Sequence, residues 1–326
     1  MDMSSKPTTA PVPIQTTPAP TIARPRRRAY AALALGVLCI GFSAIFTKWA
    51  GVPGPVSGFY RVALATIVLA PFAGGGVRRV TGAGGRILGL ALLAGVWFAG
   101  DLAVWNTALL YTSAANATLL GNTSTLWVSL WSLLVLHERL RGPFWMGMAL
   151  ALGGAALIVG PDLQMAGTLG LGDLLAMGSS LFYAAYLLTT GRVRRSAGTL
   201  EYMWLSSFGA TGVLLVYCLA TGLALGGFSP ATYGALLALG LISHVAGWLS
   251  INYALGHLRA SVTSVSLLAQ PVITALISVP LLGEGLSWAQ LGGGGLVLLG
   301  IYLANRRSGV PAVAAVAAAG SGEPAS

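Results

Sequence analysis

The chain has 326 residues, of which 56% are hydrophobic and only 8% charged. Soluble domains carry about 25% charged residues, so this composition excludes a water-soluble globular protein and makes lipid the main solvent. A net charge of +10 would suit nucleic acid, but the basic residues are placed as topology signals, and no nucleic-acid partner is expected. Residues 1–29 are rich in Pro and Thr and end in Arg24, Arg26, Arg27 and Arg28. Such a segment cannot bury a core and is expected to be a disordered cytoplasmic tail. The apolar run from Tyr30 to Ala50 is long enough to span a bilayer, and no clear small-residue cleavage site follows it. It reads as a retained first helix rather than a signal peptide. Further spanning stretches centre near Thr66, Trp97, Leu126, Ala151, Leu181, Val213, Ser243, Ile273 and Leu296, separated by breaks containing Gly, Pro and Arg. Residues 305–326 form a second low-complexity tail. The fold class is therefore an all-α polytopic membrane protein of ten transmembrane helices. Cys39 and Cys218 both sit in apolar runs; no disulfide framework, metal site or cofactor is indicated.

Orientation follows from Lys and Arg. With the N-terminus inside, the cytoplasmic segments hold Lys6 and the tail arginines, Arg78, Arg79, Arg86, Arg139, Arg141, Arg192, Arg194, Arg195, Arg259, Arg306 and Arg307. The outer loops hold none; Lys48 and Arg61 fall at the outer ends of the first two helices. This positive-inside pattern predicts a multi-pass protein of the bacterial cytoplasmic membrane with both termini in the cytoplasm.

The two halves repeat. Residues 105–140 and 251–286 align without a gap, matching Asn106 with Asn252, Ala108 with Ala254 and Glu138 with Glu284; beyond them Gly147 matches Gly293 and Gly154 matches Gly300. Five helices per copy is an odd number, so the second copy enters the membrane from the opposite side, as in many secondary transporters. The segments GFSAIFTKWAGVPGPVSGFYR (41–61), NTALLYTSAANATLLGNTSTLWVSLWSLLVLHERL (106–140) and NYALGHLRASVTSVSLLAQPVITALISVPLLGEGL (252–286) resemble the EamA-type family of the drug/metabolite transporter superfamily. The resemblance covers about residues 30–304 and implies two repeats, 30–160 and 161–304. One departure is Ser124-Thr125, where the family often has Pro; the break in helix 4 is therefore expected to be weaker than the one at Gln270-Pro271 in helix 9.

Asp101 is the sharpest chemical feature. An ionisable group inside an apolar helix is costly and must face a cavity or a partner, as a protonatable transport site or as a fixed salt bridge. Lys48 and Arg61 could share its depth and either meet substrate or mark helix ends, with Arg61 snorkelling to the interface. Polar stripes at helical spacing run through Thr118, Asn122, Thr125, Ser129 and Ser132, and through Thr263, Ser266, Gln270, Thr274 and Ser278. They line a path or bond back to their own helices; Gln270 leans toward function because Pro271 frees a nearby carbonyl. His244 aligns with Phe98 in the repeat and is either a proton relay or a hydrogen-bonded packing residue. Trp97, Trp105, Tyr183 and Tyr186 wall the cavity or simply pack, and packing is the favoured reading. Glu138 and Glu284 read as structural residues at helix junctions, Ser287 to Gln290 as a capping box, Gly142-Pro143 as a helix start and Asp173 as a carboxylate at a helix N-terminus.

The resulting candidate set for substrate binding or coupling is Asp101, Lys48, Gln270, His244, Arg61 and Asn122. The expected function is secondary transport by alternating access, with export of a small metabolite, amino acid or drug-like compound suggested by the resemblance, and with protons as a candidate coupling partner. A passive channel or a non-transporting scaffold stays open, as does the oligomeric state. An intramembrane enzyme is disfavoured: Ser243 and His244 are adjacent and point to different helix faces, and His137-Glu138 is followed by Arg-Leu-Arg, which breaks the zinc pattern HExxH.

Overall fold

The computed structural model describes residues 23–82, 85–108, 111, 120–163, 170–282 and 287–305. Among these the structure is helical throughout, as an apolar solvent demands: every backbone N–H and C=O must be satisfied within its own segment. In chain order the elements are α1 (Ala23–Gly41), α2 (Ser43–Ala50), α3 (Gly54–Gly82), α4 (Gly85–Ala108), α5 (Ser124–Leu134), α6 (Gly142–Leu163), α7 (Leu171–Val193) and α8 (Thr199–Ala220). They continue with α9 (Pro230–Ala238), a π-helical segment (Leu239–Trp248), α10 (Leu249–Leu255), α11 (Ala260–Leu267), α12 (Gln270–Leu282) and α13 (Trp288–Asn305). Seven helical stretches are long and apolar enough to cross a membrane: Arg26–Thr47, Gly54–Ala73, Gly85–Ala108, Leu171–Val193, Thr199–Ala220, Pro230–Leu255 and Ala260–Leu281. Gly142–Ile158 is a shorter apolar helix.

Helix α1 begins at Ala23, inside the stretch expected to be disordered. Pro25 suits a first helical turn, and the Arg26 guanidinium lies over the Tyr30 ring at 5.9 Å, one turn along. The first apolar run is divided at Phe42, and α2 ends at Gly51, whose φ of 61° is open to glycine without a Cβ penalty. The expected caps occur. The Ser287 amide donates to Gln290 Oε1 at 2.9 Å and the Gln290 amide to Ser287 Oγ at 3.2 Å. Asp173 Oδ2 accepts from the Gly170 amide at 3.0 Å, and α6 starts at Gly142. Glu284 lies outside the described residues. Glu138 joins two parts of the chain, accepting from Ser261 Oγ at 2.9 Å in the first turn of α11.

The break in helix 4 is as real as the one in helix 9, contrary to expectation. Leu268 and Ala269 form a turn between α11 and α12, with amides reaching back three residues to Val265 and Ser266, just before Pro271. In the first half Thr123 occupies the position aligned with Ala269 and is also a turn: its amide reaches back three residues to Leu120. The Thr123 hydroxyl donates to the same Leu120 carbonyl, so a side chain does locally what Pro does in the other half.

Packing rests on close approach of backbones. Helices α6 and α13 cross through glycines. A Cβ on Gly300 would lie 2.5 Å from the Ala151 amide nitrogen, and one on Gly154 would lie 2.5 Å from the Gly293 carbonyl oxygen. Gly147 faces Gly300 and Gly154 faces Gly293, so the two helices run antiparallel. Similar approaches place Gly95 of α4 on Ser206 of α8 and Gly36 of α1 on Gly247 of the π segment. Without a hydrophobic force between helices in lipid, contact at van der Waals distance supplies the attraction, and glycine permits it. The pair Gly153 and Gly154 tests this. Gly154→Ala is expected to cost about 1–3 kcal/mol by overpacking. Gly153, with nothing within 4 Å of its would-be Cβ, is expected to gain up to about 1 kcal/mol as alanine in a helix interior. Thermal unfolding of the two detergent-solubilised variants reads both signs.

Candidate functional site

Three of the six candidate residues meet in the bundle interior. Arg61 projects from α3 and donates from Nε to His244 Nδ1 at 3.3 Å and from Nη1 to Ser43 Oγ at 3.1 Å, which ties α3 to the π segment and to α2. Its guanidinium carbon lies 5.9 Å from the Phe98 ring centre, a cation–π contact with α4. His244 is almost fully buried, and its Nε2 lies 3.3 Å from Ser207 Oγ of α8. Because Nδ1 accepts from Arg61, that nitrogen carries no proton; the ring is the Nε2–H tautomer and donates to Ser207. Asp101 is on α4, one turn beyond Phe98. It faces the Ser179 hydroxyl of α7 and senses the Arg61 charge, yet among the described residues it does not close on Arg61 as an ion pair. The fixed salt bridge considered for Asp101 is thus absent there, and Arg61 turns inward rather than snorkelling.

Aromatic rings enclose this group. Phe98 packs on His244, Tyr186 and Trp248 with centroids 5.5, 4.7 and 5.0 Å apart, and Tyr183 meets Trp248 edge-on at 5.9 Å. Tyr186 donates to Asn252 Oδ1 at 3.3 Å. The π segment carries His244 and Trp248 on one of its turns, and π-helical insertions recur at functional sites because the extra residue re-aims side chains.

The other candidates lie elsewhere. Asn122 and Gln270 flank the two helix breaks, Asn122 just before Thr123 and Gln270 just after Ala269. Asn122 Nδ2 is buried with no hydrogen-bond partner among the described residues. Lys48 falls in α2, and its side chain is not among those described. The polar stripes divide between helix contacts and buried side chains, Ser132 and Thr263 besides Asn122, that have no hydrogen-bond partner among the described residues. Ser129 and Ser266 donate to carbonyls one turn back, Thr125 Oγ1 reaches the Ser264 carbonyl at 3.3 Å, and Thr274 reaches the Gly41 carbonyl at 3.0 Å. Thr118 lies outside the described residues, as does the Ser278 side chain. Ser43, Ser179, Ser207 and Trp248 were not singled out by the sequence. Their one available signal is a hydroxyl or indole in an apolar run, which packing residues give equally.

One further polar centre stands at the end of the bundle. Arg194 is 7% exposed and donates from Nε to the Asn252 carbonyl at 2.9 Å, and to the Ala197 carbonyl and Thr199 hydroxyl. Burial lowers its guanidinium below the ordinary arginine range. It fastens the α7–α8 link to α10. In the first half Asn106, aligned with Asn252, donates to the Gly54 carbonyl at 3.0 Å and fastens the corresponding link.

The comparisons with known proteins agree with this architecture. The model of the EamA-like transporter family matches twice, over residues 27–160 and 170–306. An uncharacterized transporter of Archaeoglobus fulgidus is 28% identical over 258 residues, covering 76% of this chain and 86% of the relative. An uncharacterized transporter of Clostridium kluyveri is 23% identical over 62% of this chain and 67% of its own length. A protein of known crystal structure shares the fold with a TM-score of 0.70 at 19% identity, over 86% of this chain and 98% of the other.

His244→Leu removes the acceptor that Arg61 Nε uses and leaves a buried donor unmet. The expected loss is about 1–3 kcal/mol in thermal unfolding, and Ser207→Ala, which strands the buried Nε2–H of His244, is expected to cost a similar amount.

Proposed function

The chain belongs to the EamA-like transporter family and is a multi-pass membrane transporter, and from that premise we propose that it moves a small metabolite by alternating access about a site centred on Arg61, His244 and Asp101. The observation that carries this reading is the site's position. Among the described residues a guanidinium on α3 and a carboxylate on α4 sit inside apolar helices without closing as an ion pair, and their neighbours His244 and Ser179 come from the second family match. Groups so costly in lipid are retained where they contact a solute path.

The same reading takes the two matched segments as five-helix repeats of opposite orientation, ten spans in all. The glycine contacts support it. The repeats align Gly147 with Gly293 and Gly154 with Gly300, whereas in space Gly147 faces Gly300 and Gly154 faces Gly293. Equivalent helices packed antiparallel are what an axis in the membrane plane requires. Phe98 and His244, aligned in the repeat, stack on each other, which supports an axis beside the site. Both helix breaks fall at aligned positions, as expected for discontinuous helices at a transport site. The positive-inside pattern supports a bacterial cytoplasmic membrane with both termini inside.

Within this mechanism Asp101 takes up and gives back a proton as the site changes sides, and export is driven by that exchange. His244 is a poorer carrier, because its Nδ1 lone pair is committed to Arg61. Asp101 has the Ser179 hydroxyl and the Arg61 charge as neighbours and no ion pair among the described residues. The test is solute release from cells overproducing the chain, followed by flux in vesicles across a pH gradient. Asp101→Asn is expected to retain exchange and lose its dependence on the gradient. Unchanged dependence removes Asp101 from coupling, and unsaturable flux would make the protein a channel.

A further inference from the structure

The site holds more hydrogen-bond donors than the protein satisfies. Trp248 is 3% exposed, and its Nε1–H is buried with no partner among the described residues. Buried indole N–H groups ordinarily find an acceptor, because leaving one unmet forfeits its hydration without return. Arg61 has five N–H hydrogens, and two contacts, with His244 and Ser43, are all that the described residues provide. Both side chains border the same ring, Phe98, so the unused donors share one neighbourhood. Among the described side chains its cationic member is Arg61, since His244 is neutral in the tautomer its contacts require, and its acidic member is Asp101, one turn from Phe98. The surrounding walls are Phe98, Tyr183 and Tyr186.

We propose that Arg61 and Trp248 together bind a carboxylate of the transported solute, and that this solute carries one such group beside an apolar or aromatic body. The proposal rests on the transporter reading above and names the class of its substrate. With Asp101 protonated, as in the proton exchange proposed above, the one guanidinium balances one negative charge, which favours a carboxylate over a doubly charged phosphate. The indole N–H supplies the second donor, fixing the direction of the carboxylate plane, while the rings accept the apolar part. Guanidinium is suited to this because its fork matches the two oxygens. Trp248 is then a specificity residue: a solute lacking an acceptor at that point leaves its N–H buried and unmet, which is the strongest form of discrimination a pocket exerts.

The experiment uses two probes with the same ring and opposite charge, radiolabelled 3-phenylpropionate and phenethylamine. Counterflow is measured with the purified full chain in proteoliposomes, and thermal stabilisation with the same protein in detergent. The expected result is exchange of 3-phenylpropionate and not of phenethylamine. Trp248→Phe, which keeps the ring and loses the N–H, raises KM about tenfold with kcat retained, the loss of one hydrogen bond. Exchange of phenethylamine alone overturns the carboxylate assignment and leaves the transporter reading standing. An unchanged KM in a folded Trp248→Phe overturns the role of Trp248. Stabilisation of the unaltered chain by 3-phenylpropionate needs no variant and supports the proposal if Trp248→Phe fails to fold. Neither exchange nor stabilisation with 3-phenylpropionate overturns it, and whether transport itself fails is read separately from solute release by overproducing cells.

Discussion

A guanidinium buried among apolar helices must be given acceptors, and much of the interior is arranged around that need. Arg61 cannot be neutralised at any cellular pH and finds its acceptors on other elements: Ser43 on α2 and His244 on the π segment. His244 in turn requires an acceptor for its remaining N–H, which Ser207 of α8 supplies. A single charge thus fixes one imidazole tautomer and holds four elements, and it does so between segments from both family matches. Among the described residues the groups that accept from Arg61 are neutral, and the Asp101 carboxylate acts on its charge without closing on it as an ion pair.

The glycine contacts between α6 and α13 act at the other side of the bundle and have a different job. They carry no chemistry and let two backbones approach until carbonyl and amide face each other across the crossing. Lipid offers no hydrophobic gain for bringing helices together, so the tightness of that contact is what binds the equivalent helices. Around the site, by contrast, contacts are made by rings and hydroxyls with unmet donors among them. The interior thus divides into a closely packed glycine seam and a centre whose polar groups are less fully satisfied among the described residues.

Asp101, Arg61 and His244 were legible because an ionisable group in an apolar run is anomalous wherever it points. The alignment of Phe98 with His244 was legible too, but their stacking was not, since alignment gives equivalence and no distance. Trp248, Ser43, Ser179 and Ser207 left no mark, because serines in membrane helices usually bond to their own backbone and tryptophans usually pack. The break at Thr123 was underestimated because the expected cause was Pro; a threonine hydroxyl competing for the Leu120 carbonyl produced the same turn. Ala23 to Tyr30 joined α1 because Arg26 and Tyr30 meet one turn apart, a contact that composition does not register.

By itself the sequence determined that the chain is a helical membrane protein, that its halves are related, and which family it resembles. These rest on hydropathy and charge, which add along the chain and need no partner. Only the tertiary structure decided that Arg61 meets His244 rather than Asp101, which stripe residues bond to a helix and which lie buried without a partner among the described residues, and that the Trp248 N–H is buried without one as well. A hydrogen bond depends on the depth and rotation of two helices at once, and a shift of one residue turns a side chain by about 100°. That angle separates lipid from the site and cannot be read from spacing within one helix alone.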